Sequence, residues 1–332
     1  MNSLVQNAVI TGTGKYLPPH LYTNNDIAEI LGHPLKDGLE TKLGIKQRYF
    51  TGKDESTADM AVKAGEQAIA NAGLSKDDIQ LLIIATDTPE YITPATSSVV
   101  QGRLETFNAG TFDLNASCAG FVSGLEVASR MIQTGAYRHI LLIGVYNMSK
   151  FVDKSDSSAL PIFADGAGAV VLSGTKNQDR GFMNGKMIAD GTQYDFLGIY
   201  GGGAKNPMNE ERLQKGEHQL TFLKPLPPDR NIKIWPPLIE EVLQSQGLNY
   251  QDIDHIFFTQ INKMVIQEVM KIIDLPEEKT TYIMGEYGYT GSSCIPIALN
   301  KALSEDKLSP GDLVLFVGSG VGFAVACAAF RW

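Results

Sequence analysis

Residues 113–132 read "DLNASCAGFVSGLEVASRMI", a polar turn of small residues that meets an apolar-periodic segment at Cys118. A thiol at or next to a helix N-terminus lies against unpaired N–H groups and the positive end of the helix dipole, which favour thiolate. The small neighbours Ser117, Ala119 and Gly120 leave room for a substrate, and the backbone N–H of Cys118 could face a developing oxyanion. Against this stands the commoner role of free cysteine as a small buried hydrophobe. The other two cysteines, Cys294 and Cys327, lie in the apolar runs "SSCIPIALNKAL" and "FAVACAAF" and read as packing residues. Three widely spaced cysteines give neither a disulfide framework nor a zinc-ligand pattern, so no metal site is expected, and a reducing cytoplasm suits them.

The elements that must position Cys118 alternate between strand and helix along the chain, as in an α/β layered fold. "NAVITGTGKYLP" opens with a strand, and "STADMAVKAGEQAIANAGL" has the three-and-four spacing of a helix with a glycine stop. "IQLLIIAT" is a short apolar run of the kind buried on both faces, and "HILLIGV" and "AGAVVLSG" are further strands. The pattern then repeats. "AGLSKDDIQLLIIATDT" is echoed by "QGLNYQDIDHIFFTQIN", with Gly73 answering Gly247 (247 − 73 = 174). The same shift carries Ile140 of "HILLIGV" onto Val314 of "DLVLFVG". Two matches in register predict a duplicated fold, with halves at 1–176 and 177–332 and an irregular insertion at about 198–238. Long loops of this kind often shape binding sites. The "GGG" at 201–203 lacks what a phosphate cradle needs and reads as a flexible turn.

Of the 332 residues, 43% are hydrophobic and 20% charged, a globular composition, and the formal net charge of −9 argues against nucleic-acid binding. No apolar run approaches the about 20 residues of a membrane span, and no basic leader precedes a hydrophobic core, so neither a membrane segment nor a signal peptide is expected.

"DLNASCAGFVSGLEVA", "PIFADGAGAVVLSG", "EYGYTGSSCIPIALNKAL" and "PGDLVLFVGSGVGFAVACAAFRW" resemble the motifs of β-ketoacyl-acyl-carrier-protein synthase III, a thiolase-superfamily enzyme, and "GTGKYLPPHLYTNNDI" and "TKLGIKQRYF" are similar to the family's opening. The resemblance spans nearly the whole chain in motif order. It implies a five-layered αβαβα unit of two duplicated halves, acting as a homodimer in the cytoplasm. It also implies an acyltransferase of fatty acid or polyketide biosynthesis in which Cys118 accepts an acyl group from a coenzyme A or carrier-protein thioester, with no cofactor. Gly320 and Val321 would contact substrate, and Asp165 of "FADGAGA" would be structural.

The resemblance fails at the cysteine's assistants. The family's histidine opens a His-Gln-Ala-Asn run; here the run is "TQIN", with Thr259 in the histidine's place, while Gln260 and Asn262 keep theirs. The family's asparagine follows a Tyr-Gly pair, and here Tyr289 stands there. Thr259 and Tyr289 carry hydroxyl donors, and neither is a good base near neutral pH. None of the five histidines is an obvious substitute: His20 and His33 lie in early loops, His139 and His255 open strands, and His218 lies in the insertion. His255 sits four residues before Thr259, about 13 Å away at the opposite end of its strand. Glu286 is a candidate base, read more simply as a solvated carboxylate. The family's adenine-stacking tryptophan is replaced by Gly38. Thr93 takes the place of an aromatic that closes the partner's acyl pocket, which implies a longer or branched acyl chain, and Lys263 could meet an acidic carrier.

Two functions follow. In the first, Cys118 accepts an acyl group and passes it to a malonyl thioester or to another nucleophile, an amine, an alcohol or a β-ketothioester. In the alternative, the chain is a catalytically impaired partner subunit or an acyl-thioester-binding protein of the same fold. Retention of the cysteine turn favours the first.

Overall fold

The computed structural model describes residues 6–332. Its first principal sheet is built from β1 (Asn7–Tyr16), β2 (Leu81–Ala85), β3 (Gly110–Leu114), β4 (His139–Asn147) and β5 (Asp165–Thr175), in the order β1-β5-β4-β2-β3. The second contains β6 (Gly181–Ala189), β7 (His255–Phe258), β8 (Leu313–Ser319) and β9 (Ala324–Arg331), in the order β7-β8-β9-β6. Read from the parallel end, β2-β4-β5-β1 and β7-β8-β9-β6 have the same topology: one parallel pair followed by two antiparallel pairs. The register repeats as well. Leu81 pairs with Ile140, and His255 pairs with Val314, so both partners are displaced by 174 residues (255 − 81 and 314 − 140).

The strands are short and apolar because both faces of each sheet are covered. In β2, Leu81 and Ile83 face the central core while Leu82 and Ile84 face an outer one. In β7 and β8, Phe257, Val314 and Phe316 face the centre, and Ile256, Phe258, Leu315 and Val317 face the opposite outer core. Three cores between five layers follow from this period-two alternation. One outer layer is headed by α1 (Thr57–Asn71), whose N-terminus is closed by a Ser56–Asp59 capping box and whose alanines let it lie close on the sheet. The centre holds α2 (Gly120–Gln133) and α5 (Cys294–Ser304). The other outer layer holds α3 (Arg230–Gln244) and α4 (Lys263–Ile272). The five-layered thiolase arrangement is thus the observed fold.

The central helices enter in the same way. A single 3₁₀ turn, Ser117–Ala119, precedes α2, and another, Gly291–Ser293, precedes α5. Ser117 and Gly291 both adopt left-handed backbone, at φ 48° and 49°. Each turn is received by a strand glycine of the opposite half: a Cβ on Gly318 would come within 3.0 Å of the Ala119 Cα, and one on Gly144 within 2.4 Å of the Ser292 carbonyl oxygen. Backbone against backbone has no soft neighbour to yield. Gly144→Ala is expected to lower stability by about 1–3 kcal/mol, as overpacking does, read as a fall in the thermal midpoint; an unchanged midpoint would show that the two halves can separate locally at no cost.

Candidate active site

Cys118 sits where β3 has ended and α2 is about to begin. The turn is held at three points. The Ser117 N–H donates to Asn115 Oδ1 at 3.0 Å, the Ala119 N–H donates to the Ala116 carbonyl at 3.1 Å, and Gly320 lies against it. A Cβ on Gly320 would approach the Cys118 nitrogen to 2.9 Å and the Ala116 oxygen to 2.5 Å, so only glycine fits. No side chain caps this helix terminus. The residue is buried, 5% exposed, and lines a cavity of about 210 Å³.

The cavity brings Cys118 together with Tyr289, Gly320 and Val321. Tyr289 is buried and pinned through its backbone: its N–H donates to the Ile162 carbonyl at 3.0 Å, and its own carbonyl accepts from the Ala164 N–H at 2.9 Å. It shares the cavity with the Cys118 thiol, and its ring packs against Phe163 and Tyr146. Apolar side chains of the insertion, Leu197, Ile199, Leu220 and Leu226, form much of one wall.

The other candidates lie elsewhere. Thr259 is buried behind the cavity; its hydroxyl oxygen accepts from the Ser319 N–H at 2.9 Å and its N–H donates to Val317, so it ties β7 to β8. Gln260 is wholly buried, with its amide donating to the Phe258 and Thr281 carbonyls and accepting from the Ile283 N–H, a full structural complement. Asn262 caps α4 and lines a separate groove of about 620 Å³, which also includes Gly38, Pro228 and Ile232. Thr93 is exposed on the loop after β2. Glu286 is exposed and ion-paired with Lys301. None of the five histidines lines the cavity. His255 bonds Thr281 at 2.9 Å with its pKa pushed down to about 4 by burial, and His139 bonds Ser173.

Two charged residues not anticipated from the motifs complete the site. Asp87, two residues past β2, and Arg230, the first residue of α3, both line the cavity. Burial pushes the Asp87 carboxyl up to about 6, against the opposing pull of the Ser117 hydroxyl. A sequence signal for Asp87 existed, since a carboxylate just beyond the C-terminal end of a doubly buried parallel strand occupies the edge where open α/β sheets place ligands. No comparable signal marked Arg230, whose position depends on the path of the insertion.

The thiol is not the resting thiolate expected of a helix terminus. Burial, and then the Asp87 charge, raise its pKa well above the ordinary thiol range, while the Tyr289 hydroxyl and the Arg230 charge act in the opposite direction. Burial lowers the Arg230 pKa in turn.

A cysteine turn at a helix start, set between two similar halves, is an arrangement of the thiolase fold. The 3-Oxoacyl-[acyl-carrier-protein (ACP)] synthase III profile matches residues 112–191, and the C-terminal profile of the same family matches residues 243–332. The beta-ketoacyl-[acyl-carrier-protein] synthase III of Synechocystis sp. is 34% identical over 334 residues, covering 100% of both chains. The crystal structure of the 3-oxoacyl-[acyl-carrier-protein] synthase III of Aquifex aeolicus VF5 superposes with a TM-score of 0.87 at 29% identity, over 98% of this chain and 100% of that one. The priming β-ketosynthase of the R1128 polyketide biosynthetic pathway does so with 0.89 at 25% identity, over 98% and 96%. The chain belongs to the 3-oxoacyl-[acyl-carrier-protein] synthase III family, acyltransferase-type condensing enzymes of the thiolase fold.

Arg230→Met removes the cation that favours thiolate. The pH profile of Cys118 alkylation by iodoacetamide is expected to move to higher pH, and a profile displaced by one pH unit lowers the rate about tenfold at any fixed pH below the pKa. An unmoved profile would show that the guanidinium is too well solvated to act on the sulfur.

Proposed function

We propose that Cys118 is the acyl-accepting nucleophile of a β-ketoacyl-acyl-carrier-protein synthase III-like acyltransferase: it takes an acyl group from a coenzyme A or carrier-protein thioester and passes it to an acceptor. The observation that carries this reading is that Cys118, at a helix N-terminus, lines a cavity of mixed polar and apolar walls together with Tyr289 and Arg230. The apolar walls suit an acyl chain. The Tyr289 hydroxyl and the Arg230 guanidinium supply hydrogen bonding and positive charge where the thioester oxygen and the sulfur develop negative charge. The groove through Gly38 and Asn262 suits the pantetheine arm, because its Pro228 and Ile232 flank Arg230 of the cavity in sequence.

Acylation is better supported than decarboxylative condensation. Decarboxylation of a malonyl thioester places charge on the thioester oxygen, and losing one oxyanion donor costs about 10²–10³ in rate. Thr259, in the position of the family's histidine, has its hydroxyl engaged behind the cavity, which leaves Tyr289 as the one replacement that faces the substrate. A homodimer is part of the reading, supported by Tyr91 and Ile92, large apolar side chains 53% and 82% exposed beside Thr93.

Incubation with acetyl-, butyryl- and octanoyl-coenzyme A, and with the same acyl groups on a carrier protein, is expected to add an acyl mass to the intact protein that maps to Cys118 and is absent from Cys118→Ala. A folded protein that acquires no adduct from any of these donors would transfer the assignment to a partner subunit or a thioester-binding protein.

A further inference from the structure

We propose that Asp87 is the catalytic base of this site, and that the acyl acceptor is therefore a nucleophile that surrenders a proton, an N–H, O–H, S–H or activated C–H group, rather than one whose carbanion arises by loss of carbon dioxide. The inference rests on Cys118 being the acyl carrier.

Two carboxylates make the case by contrast, the buried Asp165 and the half-buried Asp87. Asp165 is sealed and saturated: it accepts from the Thr51 N–H at 2.7 Å, the Ser149 N–H at 2.9 Å, the Thr51 hydroxyl at 3.1 Å and the Ser149 hydroxyl. That is a structural carboxylate. Asp87 has a buried Oδ1 with no hydrogen-bond partner among the described residues, although its residue lines the cavity beside Cys118. A buried acceptor left unpaired costs about 1–3 kcal/mol, and substrate or proton can satisfy this one. Among the described residues it is also the one carboxylate lining the cavity, where no histidine or lysine joins it. The other titratable groups lining the cavity are Cys118, Tyr146, Tyr289 and Arg230; the Asp87 charge is felt at Cys118 and Tyr146, burial raises all three acids well above neutrality, so they are uncharged there, and Arg230 is the one cation in the lining. A carboxyl pushed up to about 6 is matched to base catalysis near neutral pH.

The proton balance closes without a further reagent. During acylation the Cys118 S–H proton passes to Asp87 as the sulfur bonds the acyl carbon; the donor's C–S bond breaks, and the departing thiolate recovers that proton. During transfer the acceptor's proton passes to Asp87 as its heteroatom or carbon bonds the acyl carbon; the Cys118 C–S bond breaks, and the sulfur is reprotonated. A decarboxylating acceptor presents no proton to take.

The test uses the full-length protein acylated on Cys118 by whichever acyl-coenzyme A forms the adduct, discharged either by pantetheine, an S–H acceptor, or by malonyl-pantetheine. Asp87→Asn is expected to slow transfer to pantetheine by about 10²–10⁴, and Asp87→Glu to restore part of it. Alkylation of Cys118 by iodoacetamide at pH 8 should accelerate in Asp87→Asn, because the carboxylate no longer opposes the thiolate; general damage to the fold would not produce opposite changes. If Asp87→Asn does not fold, the wild-type transfer rate decides, and it should rise through an apparent pKa of about 6. Transfer indifferent to Asp87→Asn, a flat wild-type profile between pH 5 and 8, or faster discharge by malonyl-pantetheine with release of carbon dioxide would each overturn the assignment. An adduct that forms but discharges independently of Asp87 sinks this inference alone, whereas no adduct at all sinks the acyl-transfer reading beneath it.

Discussion

The desolvation of one thiol sets the terms for everything around it. Taking sulfur out of water penalises thiolate, and at Cys118 that penalty outweighs the Tyr289 hydroxyl and the Arg230 charge. The resting group is a thiol, and the acyl transfer proposed for it requires its proton to leave. A site of this kind depends on where that proton goes more than on the depth of its pocket. The residues in the cavity are arranged on that axis, with a carboxyl that resists ionisation, a phenol held in its protonated form, and a guanidinium near enough to be felt at the sulfur. Arg230 has no ion-pair partner among the described residues and rests over the Phe323 ring at 5.1 Å, so its charge remains available to the cavity.

The fold supplies the rigidity that such a balance needs. Cys118 lies on the central layer, fixed from one side by β3 and from the other by the end of β8 through Gly318 and Gly320. Thr259 shows the cost of that construction. The strand end that brings it toward the site also places it against β8, where its hydroxyl receives the Ser319 N–H. A side chain that short ends in the layer and cannot reach over it.

Much of this is legible from the chain. The 174-residue echo predicts two halves, and the register of the two parallel pairs repeats at that spacing. The cysteine turn is legible because helix starts and small-residue runs have local signatures. The fate of Gln260 and Asn262 is not, since keeping a residue's place in a motif does not fix which cavity it faces: one satisfies buried carbonyls and the other caps α4. The helix terminus predicts thiolate because a local dipole can be read from sequence while desolvation cannot. Asp87 lies in plain view in "IIATDT" but is separated from Cys118 by 31 positions (118 − 87), and only the pairing of β2 with β3 brings their ends together.

The duplication sets the Cys118 turn beside a structural twin. Shifted by 174 residues, Cys118 falls on Ser292, in a turn with the same left-handed entry and the same glycine support from the opposite half. The Ser292 hydroxyl donates to the Val145 carbonyl at 2.8 Å and is buried there. Asp87, shifted likewise, falls on Ile261, so the second turn has no carboxyl at the corresponding strand end. Backbone strain and a helix terminus are therefore common to both copies and cannot by themselves make a reactive group. What separates the copies is open space before the side chain and a titratable neighbour beside it. Both distinctions come from side chains and loops outside the repeated scaffold, which is why one fold can carry two matching turns with unlike surroundings face to face.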